Sequence, residues 1–186
     1  MRQTVLLAFV LTLAAASAAA GTLNGVTLPD TAQVGNTTLV LNGMGLRTKY
    51  MVKVYVAGLY LAQTSSDPAA ILKPEAPKRI VMHFVRGISK TQLTDGFTES
   101  FNNNTPDAAK SQKPDIDGFF AALDSVKDGQ ELSFTYVPQS GTTVSIAGAD
   151  KLTIASPDFA YMLFSVWLGP KPPNEALKKG ILLGHS

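Results

Sequence analysis

Apolar and polar positions alternate with a period of two along several stretches of the chain. Each such stretch predicts a strand with two unlike faces. Tyr50, Val52, Val54 and Val56 alternate with Met51, Lys53, Tyr55 and Ala57, and Gly58-Leu59-Tyr60-Leu61 continues the run. Ile80, Met82 and Phe84 alternate with Val81, His83 and Val85, and Leu132, Phe134 and Tyr136 with Ser133 and Thr135. Pro138-Gln139-Ser140-Gly141 is a turn signal, which makes Thr143–Ile146 the hairpin partner of the preceding strand. Two shorter strands are expected at Thr37–Asn42, ended by Gly43, and at Leu152–Ile154.

Between these runs the apolar spacing changes to that of a helix. Ser89 with Gln92 forms a capping box, and Leu93, Phe97 and Phe101 follow at i, i+4 and i+8. Ile116, Phe119, Phe120 and Leu123 repeat the spacing, and Asp128-Gly129 stops it. Ser156-Pro157-Asp158 opens a third helix, with proline at its first position and Phe159, Met162, Leu163, Val166 and Trp167 inward; Gly169-Pro170 ends it. A fourth starts at Pro172-Pro173-Asn174-Glu175 and ends near Gly184. Residues 63–78 and 102–114, rich in Pro, Ser and Asn, are expected as loops. Strands in runs with grouped helices favour an α+β class: a mostly antiparallel sheet with helices on one face.

The first twenty residues do not belong to that pattern. Arg2 is the only charge before Asp30, Val5–Leu13 is a short apolar run, and small residues fill Ala14–Ala20. This is the layout of a secretory signal peptide, cleaved after Ala20 or Ala18. The apolar run is short for a membrane span. The expectation is therefore a signal peptide over 1–20 and a single domain over 21–186, exported to a bacterial periplasm.

Composition narrows the chemistry. The 16 Lys+Arg and 14 Asp+Glu leave a net charge of +2 with no basic run, which argues against nucleic acid as a partner. There are no cysteines and only His83 and His185, so disulfides, thiol nucleophiles and Cys- or His-rich metal sites are not expected, nor is a cofactor.

Within Leu41–Leu61, Gly43 and Gly45 are expected to flank a tight bend, with Arg47 directly after it. Tyr55 lies eight residues further on, an even offset that puts both side chains on one face of an unbroken strand. A guanidinium and a phenol converging on one pocket suit a carboxylate or an oxyanion. The alternative is a surface arginine paired with a neighbouring acid. Lys53 shares that face and points either to the pocket or to solvent. His83 stands mid-strand, where a packed structural histidine is commoner than a catalyst. The aromatic stripe of Phe97, Phe101, Phe119, Phe120, Phe159 and Trp167 reads as core; such residues also line apolar clefts between layers.

Gly43-x-Gly45-x-Arg47 followed by Lys53-Val54-Tyr55-Val56-Ala57-Gly58-Leu59-Tyr60-Leu61 resembles the start of the chalcone isomerase domain. The later order of strand (Arg79–Arg86), helix (Ser89–Phe101), second helix, hairpin and a helix ending Phe164-Ser165-Val166-Trp167-Leu168-Gly169 is similar too, so the resemblance covers about 30–184. It implies an open-faced β-sandwich, a large antiparallel sheet under a helical layer, with a ligand cleft between them. In the plant enzyme the residue corresponding to Arg47 assists attack of a phenolate on an enone. Its strand Thr falls at Tyr55, its helix Tyr and Asn near Leu93 and Ser100, and its late Thr at Val166. The family's noncatalytic fatty-acid-binding members use the same Arg and a Tyr to grip a carboxylate. The resemblance thus implies a periplasmic binder of a fatty-acid-like or other small apolar acid. Arg47 and Tyr55 would hold the headgroup, with the tail beside Phe97, Phe101, Phe159 and Leu163. An intramolecular lyase acting on a chalcone-like enone, with Arg47 catalytic, and a ligand-free scaffold are the alternatives.

Overall fold

The structure is a computed structural model that describes residues 20–182. The expected signal peptide therefore lies outside the described residues, apart from Ala20, where the first strand begins. Seven strands form one antiparallel meander in chain order: β3 (Thr31–Val34), β4 (Thr37–Lys49), β5 (Val52–Leu61), β6 (Lys78–Phe84), β7 (Glu131–Val137), β8 (Gly141–Ile146) and β9 (Ala149–Ile154). A separate hairpin of β1 (Ala20–Leu23) and β2 (Val26–Pro29) precedes them. The helices enter between strands or after them. They are α1 (Pro68–Leu72), α2 (Lys90–Asn104), α3 (Pro106–Ser111), α4 (Lys113–Ala122), α5 (Pro157–Leu168) and α6 (Glu175–Leu182).

The local signals explain most of these boundaries. The Ser89 hydroxyl accepts from the Gln92 N–H while the Gln92 side chain accepts from the Ser89 N–H, so the capping box forms. Ser156 caps α5 through the Phe159 N–H, with Pro157 in the first turn. The helical layer buries its apolar stripes on one sheet face. Leu93 and Phe97 of α2, Phe119 of α4 and Phe159, Leu163 and Trp167 of α5 belong to one core with Ile80, Leu132, Phe134 and Val144 of the sheet. On the other face β1–β2 covers β4–β6, where Val26 and Leu28 pack against Leu39, Leu41, Val56, Tyr60 and Val81. Beyond that hairpin the outer face is polar: His83 meets Glu131 at 3.2 Å and Thr143 meets Thr153 at 2.9 Å.

Three expectations are corrected. The strand expected to stop at Gly43 continues to Lys49, and Gly43 and Gly45 sit inside it rather than around a bend. Their missing side chains make room for α6: a Cβ on Gly43 or Gly45 would lie 2.3 Å from the carbonyl oxygen of Gly180 or Leu177. The run starting at Tyr50 is not continuous either. Tyr50 and Met51 both take left-handed φ values, 48° and 64°, and form the two-residue turn between β4 and β5. Finally, residues expected as loops carry the short helices α1 and α3. The sequence pattern predicts no strand at β1–β3; Asn24 and Gly25, with φ values of 53° and 80°, form the two-residue turn between β1 and β2.

Candidate functional site

The β4–β5 hairpin brings Arg47 and Tyr55 together. They are directly opposed across the ladder, so their side chains leave the same face, the one under the helices. The shared face expected from an even offset along one strand is thus reached across two. An irregularity between Arg47 and Thr48 marks the point where the strands near their tip.

Both residues line a cavity of about 520 Å³ between the sheet and the helical layer. Its inner wall is apolar: Tyr55, Met82 and Phe84 from the sheet, Leu93 and Phe97 from α2, Val166 and Trp167 from α5. Lys49, Arg86, Asp95, Glu99 and Lys171, all exposed, stand around its mouth. Four cations, Arg47 included, face two carboxylates, so the lining carries an excess of positive charge.

Arg47 is half-buried and held by main-chain oxygens. Its Nη1 donates to the carbonyl of Thr48 and, at 2.8 Å, to that of Pro173. Nε and Nη2 have no acceptor among the described residues, which leaves donors of a rigid, permanently charged fork for a ligand. The Pro173 contact ties β4 to the 169–174 connection. Asn174 reinforces the tie by donating to the Leu46 carbonyl at 3.3 Å, and Asn104 clamps the N–H and C=O of Lys171 at 2.8 and 2.9 Å.

The Tyr55 hydroxyl accepts a 3.1 Å hydrogen bond from the Trp167 indole N–H, which is fully buried. Its own proton has no acceptor among the described residues. Burial pushes the phenol up to about 12, against the opposing pull of the Trp167 N–H and the Arg47 charge. At neutral pH Tyr55 is therefore a donor rather than a phenolate. A cationic fork beside a neutral phenol, over an aromatic wall, can hold an anionic headgroup with an apolar body behind it.

Of the six residues expected at the site, Arg47, Tyr55 and Phe97 line this cavity. Phe101, Phe159 and Leu163 do not; they belong to the packed interior. Phe97 lies 5.0 Å from Phe119, and Phe119 lies 5.6 Å from Phe159, ring centre to ring centre, so interlocked aromatics occupy the expected tail path. Helical periodicity shows which side of a helix is inward but not whether that side meets a void. Met82, Phe84 and Trp167 take the place of the displaced three; periodicity put Met82 and Phe84 on one face of a strand and Trp167 in the core stripe. The single tryptophan carried one further signal, since a buried indole N–H requires an acceptor. Leu93, Ser100 and Val166, where the resemblance puts the plant enzyme's polar partners, also line the cavity. Lys53 is exposed, with its ammonium 2.5 Å from the Asn24 side-chain oxygen; His83 lies on the polar outer face of the sheet.

The architecture is similar to a solved structure. A fatty-acid binding protein of Arabidopsis thaliana superimposes with a TM-score of 0.72 over 88% of this chain and 96% of its own, at 16% sequence identity. No curated protein sequence matches the chain. At that identity the superposition speaks for the fold alone, and the sequence has to supply the kinship. It does so from the first described strand to the last helix: the family model described as chalcone isomerase-like matches residues 20–184, and the chain belongs to that family.

Proposed function

We propose that this protein binds a small apolar acid of the fatty-acid type, with the carboxylate on Arg47 and Tyr55 and the tail along Phe84, Phe97 and Trp167. The observation that carries the reading is the meeting of Arg47 and Tyr55 across one hairpin at the inner wall of an apolar cavity. Its volume lies within the roughly 300–1,000 Å³ of ordinary ligand sites. The fatty-acid binding protein of the same architecture supports the reading by analogy. The isomerase alternative has less support, because Leu93 and Val166 offer no hydrogen bond at positions where the plant enzyme orients its substrate with polar groups. The proposal includes export: residues 1–20 act as the leader and the mature protein works in the periplasm. Cell fractionation with N-terminal sequencing of the mature chain checks this part.

Trp167 is the chain's single tryptophan and bonds Tyr55, so its emission reports on the site. Titration with dodecanoate and with dodecanol is expected to show a preference for the acid in the wild type. Arg47→Ala should weaken dodecanoate binding by roughly 1.5–3 kcal/mol, ten- to a hundredfold, and leave dodecanol nearly unchanged. Equal loss for acid and alcohol, or no loss for either, overturns the headgroup assignment.

A further inference from the structure

We infer that the tip of the β4–β5 hairpin docks on the surface of an anionic lipid bilayer, beside the mouth of the Arg47 cavity. Tyr50 is 89% exposed, Met51 98% and Val52 43%. Among the described residues the other exposed large apolar side chain is Tyr161, on α5. Single exposed apolar residues are ordinary, but three in succession at the apex of a hairpin form a patch. The turn makes that patch costly twice over. Both turn residues hold left-handed φ, where Asn-Gly is favoured and Tyr-Met is strained, and both face water.

The charges around the tip suit an anionic surface. Lys49 and Lys53 bracket the apolar residues, and the Lys49 ammonium stands 5.9 Å over the Tyr50 ring. On the adjoining rim Arg86 and Lys171 stand with Asp95 and Glu99, so the net positive charge at this end comes from Lys49, Lys53 and Arg47. Apolar residues flanked by lysines match the bilayer boundary, where acyl chains take the apolar groups and the ammonium heads stay among the phosphates. A convex tip of three residues has too little area for a stable protein interface, which buries on the order of 1,000 Å² or more. Lys49, Tyr50 and Val52 also line the cavity, so an acyl chain leaving the bilayer at this point meets the site. The docking itself does not require the ligand reading; its meaning as an entry route rests on that reading.

The experiment is co-sedimentation of the purified protein with vesicles of phosphatidylcholine containing phosphatidylglycerol, and with vesicles of phosphatidylcholine alone. Binding is expected to the mixed vesicles, weaker in high salt and far weaker to the neutral ones. Met51→Asp should lower it about tenfold, since a charge replaces the apolar apex. Met51→Gly should lower it severalfold while thermal stability holds or rises, because glycine accepts the φ of 64° that methionine strains to hold. That second variant separates lost docking from lost folding. Met51 does not line the cavity, so dodecanoate titration without vesicles should be the same for Met51→Gly and wild type. A failure of docking and a failure of the ligand reading then appear in different measurements. Absent vesicle binding overturns the inference, as does binding by both variants equal to that of the wild type. Self-association that Met51→Gly abolishes, with vesicles left unbound, likewise overturns it.

Discussion

Gly45→Ala is expected to destabilise the protein by about 3 kcal/mol, at the top of the usual range for overpacking. The added Cβ would lie 2.3 Å from the Leu177 oxygen, 2.8 Å from its Cα and 2.9 Å from its carbonyl carbon. All three are main-chain atoms, so no side chain can swing aside; α6 must move. The helix resists moving because Leu177 and Ile181 are fully buried and the Asn42 amide donates to the Ile181 carbonyl at 2.7 Å. The contact is also mutual, since a Cβ on Gly180 would lie 2.3 Å from the Met44 oxygen. Urea unfolding should show a lower midpoint at unchanged slope, and the melting temperature should fall by roughly 6–12 °C. Gly96→Ala is the contrast: apart from its own helix backbone, no atom lies within 4 Å of its Cβ position, and alanine favours the helix, so stability should hold or rise. Wild-type stability in Gly45→Ala would show that the close approach of β4 and α6 is not required. The consequence reaches the site. α6 follows the connection that supplies the Pro173 carbonyl to Arg47, so a displaced helix loosens the guanidinium and weakens binding at the cavity.

The same glycines show where sequence reasoning succeeds and where it stops. The alternation in β6, the β7–β8 hairpin and the stripes of α2 and α5 were legible because each element buries one face, and burial writes a period into the sequence. Gly43-x-Gly45 suggested a bend because local reasoning ties glycine to turns. Its reason is a helix far along the chain that touches the strand backbone, and no local pattern records that. Tyr50-Met51 misled in the opposite sense, as strand-forming residues placed in a turn. At the site, the fixed charge and its phenol neighbour were legible as a pair, because few residue types hold an anion. The extent of the cavity was not. Phe97 lines it while Phe101, one helical turn on, is packed against Phe119 and Phe120, although both belong to the same stripe. The difference lies in what each ring meets on the facing elements. Lys78 gave no sign either, since it stands in a stretch that read as polar loop.

Lys78 should make stability rise with pH above about 8. Its side chain is 2% exposed and has no carboxylate partner among the described residues. The ammonium donates instead to the carbonyls of Ile71 and Lys73 at the end of α1, at 2.8 and 2.7 Å, and lies 5.0 Å from the Tyr136 ring centre. Carbonyl dipoles and a ring face compensate a buried charge only in part, and burial lowers the amine from 10.5 to about 8. Between those values the unfolded chain still carries the proton and the folded chain has released it. More protons on the unfolded state means that stability increases with pH across that window, by about 3 kcal/mol in all. From pH 10 upward Tyr55 and Tyr60 act in the opposite sense. Burial raises both to about 12, so the folded state keeps protons that the unfolded state loses, and stability falls. Stability measured by urea unfolding should therefore be greatest near pH 10. Lys78→Met keeps an apolar stem against Tyr136 and Phe164 but has no proton to release, so the rise between pH 8 and 10 should vanish while the fall above 10 remains. Lys78→Ala, which also empties volume and leaves the Ile71 and Lys73 carbonyls without their donor, should lose about 3 kcal/mol at any pH below 8. A pH slope in Lys78→Met equal to that of the wild type would mean that another group titrates in this window. The ammonium would then be as easily charged inside the fold as in water.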